Sequence, residues 1–246
     1  MKQLFNYILS AVYYLFFGLW LIVFHPIQWL CFNLFGYRAH KKSVDVFNWF
    51  LLKTLHILGT KITFENKFAD QFQKGKPHII VSNHQSMNDI PPLIWFLREL
   101  HPKFISKKEL GKGIPSISYN LRHGGSILID RKDSRQALTE IKKFTDYLNQ
   151  TKHAAVIFPE GTRSKTGVPK KFSANGLLML FKYCPDAVVV PVSINNSWKL
   201  QRFGMFPLDL GVHLKITVQQ PIPVKNFDPK ELIQKVEQSV TNDLII

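Results

Sequence analysis

The stretch HIIVSNHQSMNDIPP, residues 78–92, carries a β-branched run into a polar turn and then into a proline pair. Ile79, Ile80 and Val81 suit a buried, pleated strand. Pro91 and Pro92 suit the first turn of a helix, where a missing backbone N–H costs nothing. Strand, turn and helix make the opening of an α/β unit, and the texture recurs downstream. Short β-rich runs stand at 62–64, 103–106, 126–130, 154–158, 187–194 and 213–218, and helical periods at 91–100, 134–149, 174–183 and 229–242. This alternation predicts the α/β class, with a mixed central sheet flanked by helices. Ligands of such sheets sit beyond the carboxyl ends of the strands, where this reading puts His84, Arg131 and Glu160.

Upstream the chemistry changes. Residues 4–37 contain no Asp, Glu, Lys or Arg, a run longer than the roughly 20 residues that cross a bilayer. Pro26 falls near its middle and predicts two short helices, because proline removes a helix hydrogen bond. Lys2 before the run and Arg38, Lys41 and Lys42 after it keep both ends on the cytoplasmic side, an inner membrane if the source is bacterial. A hairpin dipping into one leaflet satisfies this better than a single crossing. Tyr7, Tyr13, Tyr14, Trp20, Trp29 and Tyr37 read as interface anchors. The run far exceeds a signal-peptide core, and no small-residue cleavage site follows it. Residues 44–58 read as a further helix packed between this element and the domain, stopped by Gly59. The division is therefore a membrane-associated helical segment, 1–60, and a catalytic domain, 61–246.

The chain has 32 Lys and Arg against 17 Asp and Glu, a formal charge of +15. That balance favours a polyanionic neighbour: nucleic acid, an anionic lipid surface or an acidic carrier protein. No nucleic-acid motif accompanies it, and the apolar run selects the membrane. Cys31 and Cys184 lie far apart and give neither a disulfide framework nor a metal site. No G-x-S-x-G or G-x-x-x-x-G-K-[ST] string occurs, so neither a hydrolase serine elbow nor an ATP site is indicated.

His84 and Asp89 are five residues apart, roughly 500° around a straight helix, which leaves the side chains about 140° apart. They meet only if the chain bends. A bent loop would let Asp89 fix one imidazole nitrogen and leave the other to take a proton from a hydroxyl. His40 and Asp45 share the spacing but follow no strand, and read as a decoy. At 158–164, FPEGTRS ends another strand run; Gly161 allows close backbone approach and Arg163 offers a fork for phosphate or carboxylate. Arg131 and Lys107 follow two further strands, while Lys165, Lys170 and Lys171 read as solvated cations near the clamp.

In order, NHQSMND, SKKEL with GGSILIDR, FPEGTRS and VVVPVSI resemble the four sequence blocks of the lysophosphatidic acid acyltransferase family of glycerolipid acyltransferases. The resemblance covers roughly residues 60–220, and the family's two-helix membrane element is similar to residues 4–37. It implies that His84 is a general base partnered by Asp89. It also implies that Glu160, Gly161, Thr162, Arg163 and Ser164, with Arg131 and Lys107, hold the acceptor's phosphate, and that Val190, Pro191 and Val192 line the acyl side. The implied reaction moves a fatty acyl group from acyl-coenzyme A or acyl carrier protein, as co-substrate, to the free hydroxyl of a 1-acyl-glycerol-3-phosphate, giving phosphatidic acid without metal or cofactor. A same-fold acyltransferase for another lyso-lipid, and a non-enzymatic binder of anionic lipid or nucleic acid, are the rival readings.

Overall fold

The computed structural model describes residues 2–130 and 132–245. Helix α1, Lys2–Thr54, is a hairpin whose two arms, 2–35 and 37–54, meet at Gly36 (φ 75°, ψ −169°). Glycine alone adopts that backbone readily, which is why the chain reverses there. The expected break at Pro26 does not occur; the proline lies inside the first arm. Beside it, the Ser116 hydroxyl donates to the Leu21 carbonyl (2.6 Å) and the Ser116 N–H to His25 Nδ1 (3.1 Å), so the α/β part of the chain supplies polar contacts to the turn that precedes the proline. The helix expected at 44–58 is the second arm, continued by a 3₁₀ turn, Leu55–Leu58.

The arms hold each other through aromatic packing. Phe24, Phe47 and Leu51 are buried between them, the Trp20 ring lies tilted 4.2 Å from Phe50, and Trp20 Nε1 donates to Thr54 Oγ1 (3.0 Å). The first arm also lies along the domain. Its Asn6 side chain donates to the Leu208 carbonyl, Ser10 Oγ accepts from the Leu208 N–H, and Asn33 donates to the Tyr119 hydroxyl. Several expected lipid anchors are thus internal: Tyr13 is 1% exposed, Trp20 is inside the hairpin, and Tyr37 packs on His101 and His153.

The sheet contains β1 (Lys61–Asn66), β2 (His78–Ser82), β3 (Pro102–Lys107), β4 (Ile127–Ile129), β5 (Ala154–Ile157), β6 (Val188–Asn195), β7 (His213–Val218) and β8 (Ile222–Pro223). Its order is β1-β7-β6-β2-β5-β3-β4, with β8 on β6. Among the described residues only the β6–β7 and β6–β8 pairs are antiparallel, so the sheet is mixed as expected. The short β8 and helix α3, Ile117–His123, carry too little periodicity to be read from sequence.

Alternate side chains feed two cores. Ile80, Val156 and Val190 point to the face covered by α1 and α2 (Ile90–Phe96); Ile79, Val81, Ile157 and Val189 point to the face covered by α4 (Ser134–Thr151), α5 (Ala174–Tyr183) and α6 (Pro229–Thr241). The helices following the adjacent strands β2 and β5 therefore lie on opposite faces. The loops that follow these two strands therefore begin side by side at the carboxyl ends of the strands, where open α/β sheets hold their ligands.

Candidate active site

Beyond β2 the chain avoids a helix. Ser86 is extended (φ −152°, ψ 174°), and its hydroxyl accepts from the Asn88 N–H, capping a 3₁₀ turn at Met87–Asp89. This bend brings the carboxylate back: His84 Nδ1 and Asp89 Oδ2 are 2.8 Å apart. The same oxygen accepts from the Gln85 N–H (2.6 Å) and the Ser86 N–H (2.8 Å), and Asp89 is fully buried. Two amide donors on Oδ2 fix it as an acceptor, so the third bond is donated by Nδ1–H and Nε2 keeps its lone pair. The His84 ring stacks on Phe158 (4.1 Å, 15°), which fixes its plane.

The second loop is locked to the first through backbone groups. Glu160 Oε1 accepts from the His84 N–H and Oε2 from the Lys170 N–H, both at 2.9 Å, while the Ser164 N–H donates to the His84 carbonyl (2.7 Å). Glu160 is 9% exposed; burial pushes its carboxyl up, and the two amides pull it down. It brackets two loops, and both of its oxygens face amide hydrogens. Gly161 takes φ 72° at the turn, Thr162 and Arg163 are exposed, and Ser164 is buried. Lys170, read from sequence as a solvated cation, binds Thr162 Oγ1 and the Arg163 carbonyl (3.2 Å) through Nζ.

Lys107 is exposed at the end of β3. There β3 has left β5 after Phe104 and pairs only with β4, so the sheet splays open beside Phe158, whose ring lies 6.4 Å from Phe104. Arg131 lies outside the described residues. Val190 and Val192 are fully buried in the core under α1 and α2.

Sequence reasoning missed the supporting shell. Asn83 exchanges two 2.8 Å hydrogen bonds with the Ile194 backbone, tying the loop to β6, and the Tyr13 hydroxyl of α1 donates to Asn88 Oδ1 (3.0 Å). Phe158 had a signal, as the aromatic that opens FPEGTRS; Tyr13 had none.

This chain is 38% identical over 133 residues to a 1-acyl-sn-glycerol-3-phosphate acyltransferase of Helicobacter pylori, covering 51% of the chain and 54% of that relative. It is 26% identical over 203 residues to the enzyme of that name from Saccharomyces cerevisiae, covering 79% and 61%. The chain thus spans between about half and three fifths of the length of these two relatives. Its fold matches the crystal structure of the 1-acyl-sn-glycerophosphate acyltransferase of Thermotoga maritima with a TM-score of 0.78, at 24% identity and over 98% of this chain and 95% of that one. Residues 61–195, more than half the chain, match the family described as Acyltransferase, and the chain belongs to that family.

Proposed function

We propose that the site transfers a fatty acyl group from a thioester of coenzyme A or acyl carrier protein to the free hydroxyl of 1-acyl-glycerol 3-phosphate, giving phosphatidic acid. The observation that carries this reading is the His84–Asp89 pair beside the 158–164 loop, with Nε2 unpartnered among the described residues and the imidazole 16% exposed. Nε2 takes the hydroxyl proton as that oxygen attacks the thioester carbonyl. The C–S bond then breaks, and the thiolate leaves with the proton that the imidazolium returns. Asp89 holds the tautomer and balances the charge of the imidazolium.

Arg163, exposed on a turn whose backbone is fixed by Glu160 and Lys170, is the cation we assign to the acceptor's phosphate, with Arg131 and Lys107 as the further cations of the set. The apolar first arm of α1 bonds to the domain along its length. We assign this arm to the surface of the cytoplasmic leaflet, an arrangement that would bring the site to its lipid substrate.

The test is an acceptor panel with purified protein in vesicles. Arg163→Ala is expected to lose about 1.5–3 kcal/mol of preference for lysophosphatidate over uncharged monoacylglycerol, the range of a charge-assisted hydrogen bond. An unchanged preference removes Arg163 from the clamp. A wild-type preference for a lyso-lipid with a larger head group would replace the proposed acceptor.

A further inference from the structure

Leu200 and Leu208 are fully buried, and the Asp209 N–H donates to the Leu200 carbonyl, closing the base of a loop. Between them Phe203, Met205 and Phe206 are 55%, 54% and 50% exposed, an unusual arrangement for three large apolar side chains in four residues. We propose that this loop, residues 201–207, is a second lipid-contacting element, whose partner is the surface of an anionic bilayer.

Continuity with the apolar face of α1 supports this partner. Phe206 packs edge-on against Tyr7 (5.4 Å), and the Tyr14 hydroxyl donates to the Met205 carbonyl. Leu4 and Ile8, close to Tyr7 on the first arm, are 64% and 50% exposed, so loop and helix present one apolar surface. The charges fit as well. Arg202 lies over the Phe203 ring (4.7 Å) with Nε 3.0 Å from Asp209, and Lys199 stands at the loop's root. Cations at the base of an apolar tip meet phosphates while the tip enters the acyl boundary. This role requires that α1 be the membrane element.

The root of the loop also touches the catalytic machinery. Ser197 Oγ hydrogen-bonds Ser86 Oγ, the Trp198 N–H donates to Gln85 Oε1 (3.4 Å), and Trp198 closes over Gly167, where a β-carbon would meet its indole. Seating the loop in lipid thereby positions the residues that hold Asp89.

The experiment places an environment-sensitive fluorophore at Phe203→Cys, at Ile22→Cys on the exposed face of α1, or at Leu138→Cys on α4, in the full chain lacking Cys31 and Cys184. Vesicles of phosphatidylglycerol and phosphatidylethanolamine carry a quencher on the acyl chain. Labels at 203 and 22 are expected to shift blue and be quenched several-fold, with no change at 138. A label at 203 that stays aqueous while the one at 22 inserts overturns the proposal and leaves α1 as the membrane element; failure of both overturns the two together. Protection at 203 that follows protein concentration without lipid assigns the patch to a second copy and also overturns it. Phe203→Ser with Phe206→Ser is expected to lower kcat/KM severalfold on vesicles and leave it unchanged on detergent-dispersed substrate. An equal fall in both would make the loop a prop for Ser86 only.

Discussion

The chain contains the same spacing twice, His40 with Asp45 and His84 with Asp89, and the two regions reach opposite outcomes. In the second arm of α1 the backbone stays helical, so the partners diverge: Asp45 turns to Lys41 on its own face, and buried His40 Nε2 has no partner among the described residues, with the ring set against Phe32 and Tyr119. After β2 the chain is extended at Ser86 and then tight, and the imidazole meets the carboxylate. Sequence separation is identical, so the local backbone decides which histidine meets its carboxylate. The preceding strand matters because it ends a buried β-run at a point where a loop must begin.

Turnover breaks the comparison most sharply. His84→Ala is expected to cut kcat by about 10²–10⁴-fold, the range of a positioned general base, with an unchanged circular dichroism spectrum. His40→Leu, which fills the same aromatic site without an orphaned nitrogen, is expected to leave kcat unaltered. Comparable losses in both would mean that the loop geometry has nothing to do with catalysis. Changing the carboxylates gives a smaller contrast. Asp89→Asn removes the charge facing the imidazolium and puts an amide at the buried, unpartnered Oδ1 position, so kcat falls on the order of 10²-fold. Asp45→Asn only releases Lys41, which lowers Tm and spares kcat.

Much of the sheet was legible because its strands are β-branched runs bounded by turn residues: each of the seven expected runs is a strand, and four expected helices form within a few residues of their limits. The hairpin was legible as an element and misread in its turning point. Proline is a local signal, and the helix continues through it here while Ser116, about ninety residues away, bonds the turn before it, which no pattern in the first arm announces. Within the site, the spacing set the condition for the His84–Asp89 contact, a bend, and the 3₁₀ turn at Met87–Asp89 meets it. Glu160's use as a bracket did not, since its two partners are backbone amides from separate loops and leave no mark on side-chain spacing.

That bracket gives the next prediction. Glu160→Gln sets an amide NH₂ against a backbone N–H, leaving a buried donor without an acceptor, and is expected to cost about 1–3 kcal/mol of stability. Because the His84 N–H is one of the two groups held, kcat falls also, by less than in His84→Ala. A thermal melt with a paired kcat measurement checks both; a stable variant with full activity would show that the Ser164 to His84 bond alone holds the loops together.

The smallest effect belongs to the decoy's own neighbourhood, where the hairpin meets the amino ends of β3 and β5. His101 and His153 stack at 4.5 Å; Nδ1 of each lies against a tyrosine hydroxyl, Tyr37 (2.9 Å) and Tyr147 (2.8 Å), while Lys41 and Lys103 supply like charge. Burial first, then these lysines, pushes the imidazoles down to about 4 for His101 and about 3 for His153. Lys103, 6% exposed, is pushed down to about 8 by burial and then Lys41, so it stays charged throughout the acid range. In the unfolded chain both histidines bind a proton near pH 6.5. The unfolded state therefore binds more protons below that value, and the stabilisation present above pH 6.5 is lost as pH falls towards 3. Tm is expected to drop by a few degrees between pH 7.5 and 5, and the His101→Gln, His153→Gln double variant to lose part of that drop, since both glutamines stay neutral. An equally steep drop in the double variant would show that this junction takes up no protons on unfolding. The two histidine environments would then differ only in their partners and not in their charge.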